Sequence, residues 1–174
     1  LGAQAETYVY TGAYYGAAGG TILNDTTCAS PHECGTFINT QRITGYFTTA
    51  GPLGNNLVNA NIIPSITGYW FNSGVSTISS GSASRICTFR GSTDGAGAIT
   101  SAEGELVRWT YSALNSPPAG PHGEGDEFDL IYISPASTSS AFITLWCPAA
   151  NIGPSPDGTP DVCLAAASST ATSS

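Results

Sequence analysis

Apolar and β-branched residues in this chain come in runs of strand length. Roughly every eight to twelve residues they are broken by clusters of Gly, Pro, Asn, Ser and Thr, the rhythm of an all-β domain. Glu6 to Gly12, rich in Thr and Tyr, reads as the first strand, followed by a small-residue turn over 13–20 and an irregular loop over 21–35. Thr36 to Ala50 reads as a long strand with a bulge at Gly45, and 51–56 as a turn. Residues 57–64 read as a short edge strand that Pro64 limits. Ser65 to Phe71 and Val75 to Ser79 flank Asn72-Ser73-Gly74, a hairpin connection. Further strands are expected over Ser84 to Arg90, Gly104 to Ser112, Asp126 to Ser134 and Ala141 to Cys147, with a Gly/Asp turn at 91–97 and a Pro/Gly loop at 115–125.

No stretch carries the period of an amphipathic helix. About eight or nine strands with one apolar face each need a second layer to cover that face. The expected fold is therefore an all-β, two-sheet antiparallel β-sandwich, jelly-roll or immunoglobulin-like, with disulfide-stapled loops. Residues 1–164 make one domain, and the Ala/Ser/Thr run over 165–174 reads as a linker-like tail.

Charge narrows the function classes. The chain has four cations, all arginine, against twelve acids, for a formal net charge of −8. Nucleic-acid binding needs a basic footprint that is missing here, and attraction to anionic lipid fails for the same reason. No apolar run approaches the roughly 20 residues of a membrane span. With a chain beginning at Leu1, five cysteines and a surface of hydroxyls and amides, the expected setting is secreted or extracellular, after removal of an export signal.

Cys28 and Cys34 bracket one short loop, and Cys147 and Cys163 bracket a Pro/Gly/Asp-dense stretch. Proximity favours disulfides 28–34 and 147–163, although four cysteines allow three pairings. Cys87 is left over: a buried thiol acting as a small hydrophobe, or one half of an intermolecular bridge. Zinc is disfavoured, because Cys28, His32 and Cys34 have no second ligand pair.

Several segments in order resemble bacterial exported proteins of the PEP-CTERM type, over about residues 8–110. They are Tyr8-Val-Tyr-Thr-Gly12, Arg42-Ile-Thr-Gly-Tyr-Phe47, Pro52-Leu-Gly-Asn-Asn-Leu57, the run from Ile66 to Ser79, and Thr93-Asp-Gly-Ala-Gly-Ala-Ile-Thr100. The resemblance implies export, a place at the cell surface and an exopolysaccharide-rich matrix, and it brings no catalytic motif. The chain departs from the pattern in lacking the Pro-Glu-Pro sorting tail and in carrying cysteine loops.

The densest polar patch holds Glu124, Asp126, Glu127 and Asp129, oxygen ligands of the kind calcium takes. Their spacing is not that of an EF-hand, and the preferred reading is a solvated loop and strand edge; no other cofactor is suggested. Glu103 with Glu105, or Glu124 with Asp126, are too close in sequence to face each other across a hydrolytic cleft. His32 and His122 lie outside any nucleophile motif. Trp70, Trp109 and Trp146 fall in strand-like runs and are expected in the core, whereas Tyr14 and Tyr15 are expected to be exposed. The leading expectation is a non-enzymatic structural or interaction protein of the cell surface or matrix. It would self-assemble by pairing or donating the strand Glu6, Thr7, Tyr8, Val9, Tyr10, Thr11. The alternative is a carbohydrate-binding module that takes matrix polysaccharide on exposed aromatics.

Overall fold

The computed structural model describes residues 4–17, 20–24, 33–81, 83–111, 126–134, 139–146, 149–154, 160–165 and 171–173. For Tyr111, Ile143, Thr144, Trp146 and every position from 149 onward it describes the backbone alone. In chain order the strands are β1 (Glu6–Tyr14), β2 (Ile22–Asn24), β3 (Arg42–Thr49), β4 (Ala60–Asn61), β5 (Ile66–Asn72), β6 (Thr77–Ser79) and β7 (Ser84–Thr93). They continue with β8 (Ile99–Tyr111), β9 (Glu127–Ile133), β10 (Ser140–Trp146), β11 (Ala149–Pro154), β12 (Pro160–Ala165) and β13 (Ala171–Ser173). A 3-10 turn, Ile63–Ser65 with Pro64 in it, interrupts the chain before β5.

Two antiparallel sheets carry the fold, as the expected sandwich requires. A four-stranded sheet runs in the order β1-β3-β5-β6, and a larger one in the order β2-β13-β10-β9-β8-β7-β4. A separate hairpin pairs β11 with β12. The inner faces meet in one apolar core that includes Ile43, Phe47, Phe71 and Ile78 from the first sheet and Ile86, Phe89, Leu106, Ile131 and Ile133 from the second.

Two glycines decide how close the layers come. Gly45 pairs with Phe71 across β3 and β5, and Gly104 pairs with Phe89 across β8 and β7. Each phenylalanine ring lies over its glycine: an added Cβ would stand 2.4 Å from Phe71 Cδ1 at position 45 and 2.5 Å from Phe89 Cδ2 at position 104. The two seated rings then face one another between the sheets, with centroids 6.3 Å apart, and Phe47 meets Phe89 edge-on at 5.2 Å. Tyr8 of β1 stacks on Phe47 at 5.0 Å and extends the aromatic chain to the sheet edge.

Several elements differ from the sequence expectation. Gly45 sits in regular register, and the irregularity of β3 falls between Thr48 and Thr49. β7 and β8 run through Gly91, read as a turn, and Gly104, read as a strand start, because those glycines make room for Ile62 and Phe89. Their connection is tightened by Asp94, whose carboxylate accepts from the N–H groups of Ala96 and Ala98 at 2.8 and 2.9 Å. Ala171–Ser173, in the stretch read as a linker-like tail, pairs with β10 and with β2.

The larger sheet is apolar on both faces. Its far side carries a second cluster of Cys87, Val107, Trp109, Phe128 and Leu145, in which Trp109 and Phe128 lie 5.1 Å apart. Cys87 is the extra residue of a bulge between Ile86 and Thr88. That insertion lets Ile86 and Phe89, three positions apart, both face the inner core.

Replacing Gly104 with Ala forces the Phe89 ring off its seat and is expected to destabilise the fold by about 1–3 kcal/mol, the usual cost of overpacking. The double variant Gly104→Ala/Phe89→Leu should be less unstable than the sum of its parts. A double-mutant cycle in guanidinium checks this, and additive effects would refute the seating.

Candidate functional site

Strand alternation sorts the four-stranded sheet into two faces. Ile43, Phe47, Phe71 and Ile78 point inward, so their neighbours point out. The pairings align those neighbours into rows running across the strands. One row is Val9, Tyr46, Trp70 and Ser79; beside it run Thr7, Thr48 and Gly68 on one flank, and Thr11, Thr44, Asn72 and Thr77 on the other. Val9 is 78% exposed, Tyr46 41% and Trp70 36%. The Tyr46 and Trp70 rings lie within 20° of parallel, with centroids 6.2 Å apart.

This overturns the expectation for Trp70, which is on the surface and not in the core. Trp109 is in the core as expected, and the Trp146 side chain lies outside the described residues. Tyr14 is exposed, with the Arg42 guanidinium over its ring at 4.6 Å. Tyr15 is the reverse of its expectation: it is buried against Phe37, and its hydroxyl donates to the Ser73 carbonyl at 2.9 Å. Tyr46 was missed altogether. Its signal was the alternation of β3, which puts it on the side of Thr44 and Thr48, opposite Ile43 and Phe47.

A second polar arrangement lies inside, at one end of the sandwich. Arg108 and Asp129 are paired neighbours on β8 and β9 and face inward. The Arg108 guanidinium donates to Asp129 at 2.6 Å, to Ser76 Oγ at 3.2 Å and to Glu33, while Ser76 donates to the same Asp129 oxygen. Ser76 belongs to the β5–β6 loop, which Gly74 turns with φ +88° and Ser73 braces by accepting the Ser76 N–H at 3.0 Å. The cluster therefore ties one sheet to the other. Burial lowers the Arg108 pKa, but the hydrogen bonds and charges of Asp129 and Glu33 outweigh it and hold the group above its ordinary value.

The acidic patch is thus no solvated loop edge where it can be followed. Asp126, Glu127 and Asp129 are all buried, with Asp129 engaged as above, and Glu124 lies outside the described residues. No grouping of His, Cys, Asp and Glu suited to a metal occurs among the described residues. Glu103 and Glu105 share one face of β8, and Glu103 accepts the Tyr132 hydroxyl at 2.9 Å. His32, His122, Cys28 and Cys147 lie outside the described residues. Cys34 is disulfide-bonded, and the side chain of Cys163 lies outside what the structure describes. Cys87 is a buried thiol of the second apolar cluster. The proposed assembly strand, Glu6 to Thr11, is the first part of β1 and is paired to β3, with Tyr8 and Tyr10 packed against the core.

A cleft of about 360 Å³ opens beside β5 and β7, with Thr67, Tyr69, Ser80 and Arg85 in its wall. Burial first, and the nearby Cys87 second, push the Tyr69 phenol up to about 12, with Arg85 pulling the other way.

Comparison with family models, curated proteins and solved structures returned no match for this chain.

Two predictions follow from these groups. Asp129→Ala leaves Arg108 and Ser76 without their shared acceptor and should cost about 3 kcal/mol, read as a lower denaturant midpoint; an unchanged midpoint would dissolve the proposed tie. Tyr69 has its pKa raised in the folded state. Its contribution to stability is therefore complete below its ordinary value near 10 and is lost as pH climbs through about 12. Unfolding midpoints measured across that window should fall with pH, and Tyr69→Phe should flatten the fall.

Proposed function

We propose that this chain is an exported, non-catalytic contact protein of the cell surface or extracellular matrix, whose copies associate by adding β1 to a neighbour's sheet. The observation that carries the reading is the position and make-up of β1. It is nine residues long, it forms one edge of the four-stranded sheet, and no strand lies beyond it among the described residues. Half of its backbone donors and acceptors point away from β3, which makes it a template for another strand.

Soluble proteins ordinarily blunt such an edge with lysine, proline or inward charge. In β1 the single charged residue is Glu6 at its start. Addition is favoured over donation, because Tyr8 stacks on Phe47 and the Tyr10 hydroxyl bonds Ser139 Oγ at 2.6 Å across the sandwich. Withdrawing β1 would give up both contacts. Export and a surface setting are what the resemblance to PEP-CTERM-type proteins implies, and the sparse charge of the chain suits close packing of copies.

Sedimentation over a wide concentration range should reveal reversible association, and electron microscopy of concentrated samples should show linear assemblies. The double variant Thr7→Lys/Thr11→Lys places charge along the edge and is expected to shift the population to monomer by at least tenfold in dissociation constant, about 1.4 kcal/mol. A wild-type chain that stays monomeric at every concentration would refute the reading.

A further inference from the structure

We infer that the outer face of the four-stranded sheet is a binding platform for an uncharged polysaccharide, centred on the stacked Tyr46 and Trp70 rings. Asn72, Thr77 and Ser79 supply hydrogen bonds along its side. Single exposed aromatics are ordinary on protein surfaces. Here two stand side by side on adjacent strands, with nearly parallel planes and Val9 continuing the row.

A pyranose ring presents C–H groups on its faces and hydroxyls around its rim. The slightly positive C–H groups pack on the negative π-face of an aromatic ring, and the rim needs donors and acceptors at the same level. The rows beside Tyr46 and Trp70 provide them. Thr77 accepts from Asn72 Nδ2 at 2.8 Å and so keeps its own hydroxyl proton to give. Ser79 lies directly opposite Trp70. The platform is also rigid, because each of its two rings is followed in sequence or across the strand by a packed core residue: Phe47 after Tyr46, and Phe71 after Trp70.

Charge selects the occupant. The outward rows hold no carboxylate, and Arg42, beyond their end, lies over the Tyr14 ring. With a formal net charge of −8, the molecule as a whole repels polyanions. A neutral chain of sugars is what fits. A second copy fits poorly: a stable interface covers roughly 800 Å² per partner around an apolar centre, and here a single apolar row would force two rows of hydroxyls to lose their water.

Native electrophoresis in gels containing hydroxyethyl cellulose or glucomannan, with alginate as the anionic counterpart, tests this directly. The folded chain should be retarded by at least one neutral polymer, insensitively to added salt, and its tryptophan emission should shift on adding that polymer. Trp70→Ala and Tyr46→Ala should each weaken retardation by about tenfold or more, with Trp70→Phe between. Circular dichroism should show both folded, since both side chains are exposed. Trp70→Ala/Tyr46→Ala should lose retardation yet keep the self-association expected of the β1 edge, which separates this inference from edge pairing. No retardation and no emission shift with either neutral polymer would overturn the inference. So would retardation that survives Trp70→Ala/Tyr46→Ala, or binding to alginate alone that salt abolishes. Dissociation of oligomers by Trp70→Ala, with retardation unchanged, would assign the face to a second copy and overturn it equally.

Discussion

The structure depends on two phenylalanine rings, each seated on a glycine of the neighbouring strand. A glycine inside a strand ordinarily weakens it, because it packs no side chain and loses more entropy on ordering. Covering it with an aromatic ring from the paired strand offsets that cost and removes bare backbone from water. Phe71 over Gly45 does this in one sheet and Phe89 over Gly104 in the other. Because the seated rings lie low, the two can approach within 6.3 Å and admit Phe47 beside them. Each such aromatic contact contributes about 0.5–1.5 kcal/mol beyond its buried area, so the cluster is a large fraction of a typical domain's net stability.

The polar cluster at the sandwich end does a different task. Apolar rings attract without direction, whereas Arg108, Asp129 and Ser76 accept only one relative placement of the two sheets. A buried pair of this kind gains little over a well-packed apolar substitute, but half of it left alone is costly. Its effect is therefore to penalise alternatives in which the β5–β6 loop sits elsewhere. The Glu33 carboxylate brings a third segment of chain to the same guanidinium, beside the disulfide-bonded Cys34.

Much of this was legible in the sequence, and the failures share a cause. The hairpin around Ser73 and Gly74, the strand character of β1, β3, β7 and β9, and the two-layer arrangement follow from alternation and turn residues. Glycine misled wherever it served a partner strand instead of the backbone. Gly45 looked like a bulge and Gly91 like a turn, yet both lie in strands beneath side chains that are remote in sequence. Asp129 looked solvated, since nothing local announces that Arg108 is its cross-strand neighbour. Trp70 looked like core because Tyr69, Trp70 and Phe71 form an unbroken aromatic run, and only the pairing to β3 shows that the middle one faces outward. The short strands β2 and β13 have too few residues to show any period.

The core and the outer face are consequences of one register. If Gly45 must lie opposite Phe71 to seat the ring, the next pair along the strands is Tyr46 opposite Trp70, on the other side of the sheet. A slip of one residue would exchange the faces, driving Tyr46 and Trp70 into the core and leaving Phe71 bare. The same requirement that closes the sandwich thus holds two aromatic rings parallel at the surface, on strands too well packed beneath to relax. Neither ring is needed for the packing below it. Changes at Tyr46 and Trp70 consequently act on what the outer face contacts, whereas changes at Gly45 and Phe71 act on whether that face exists.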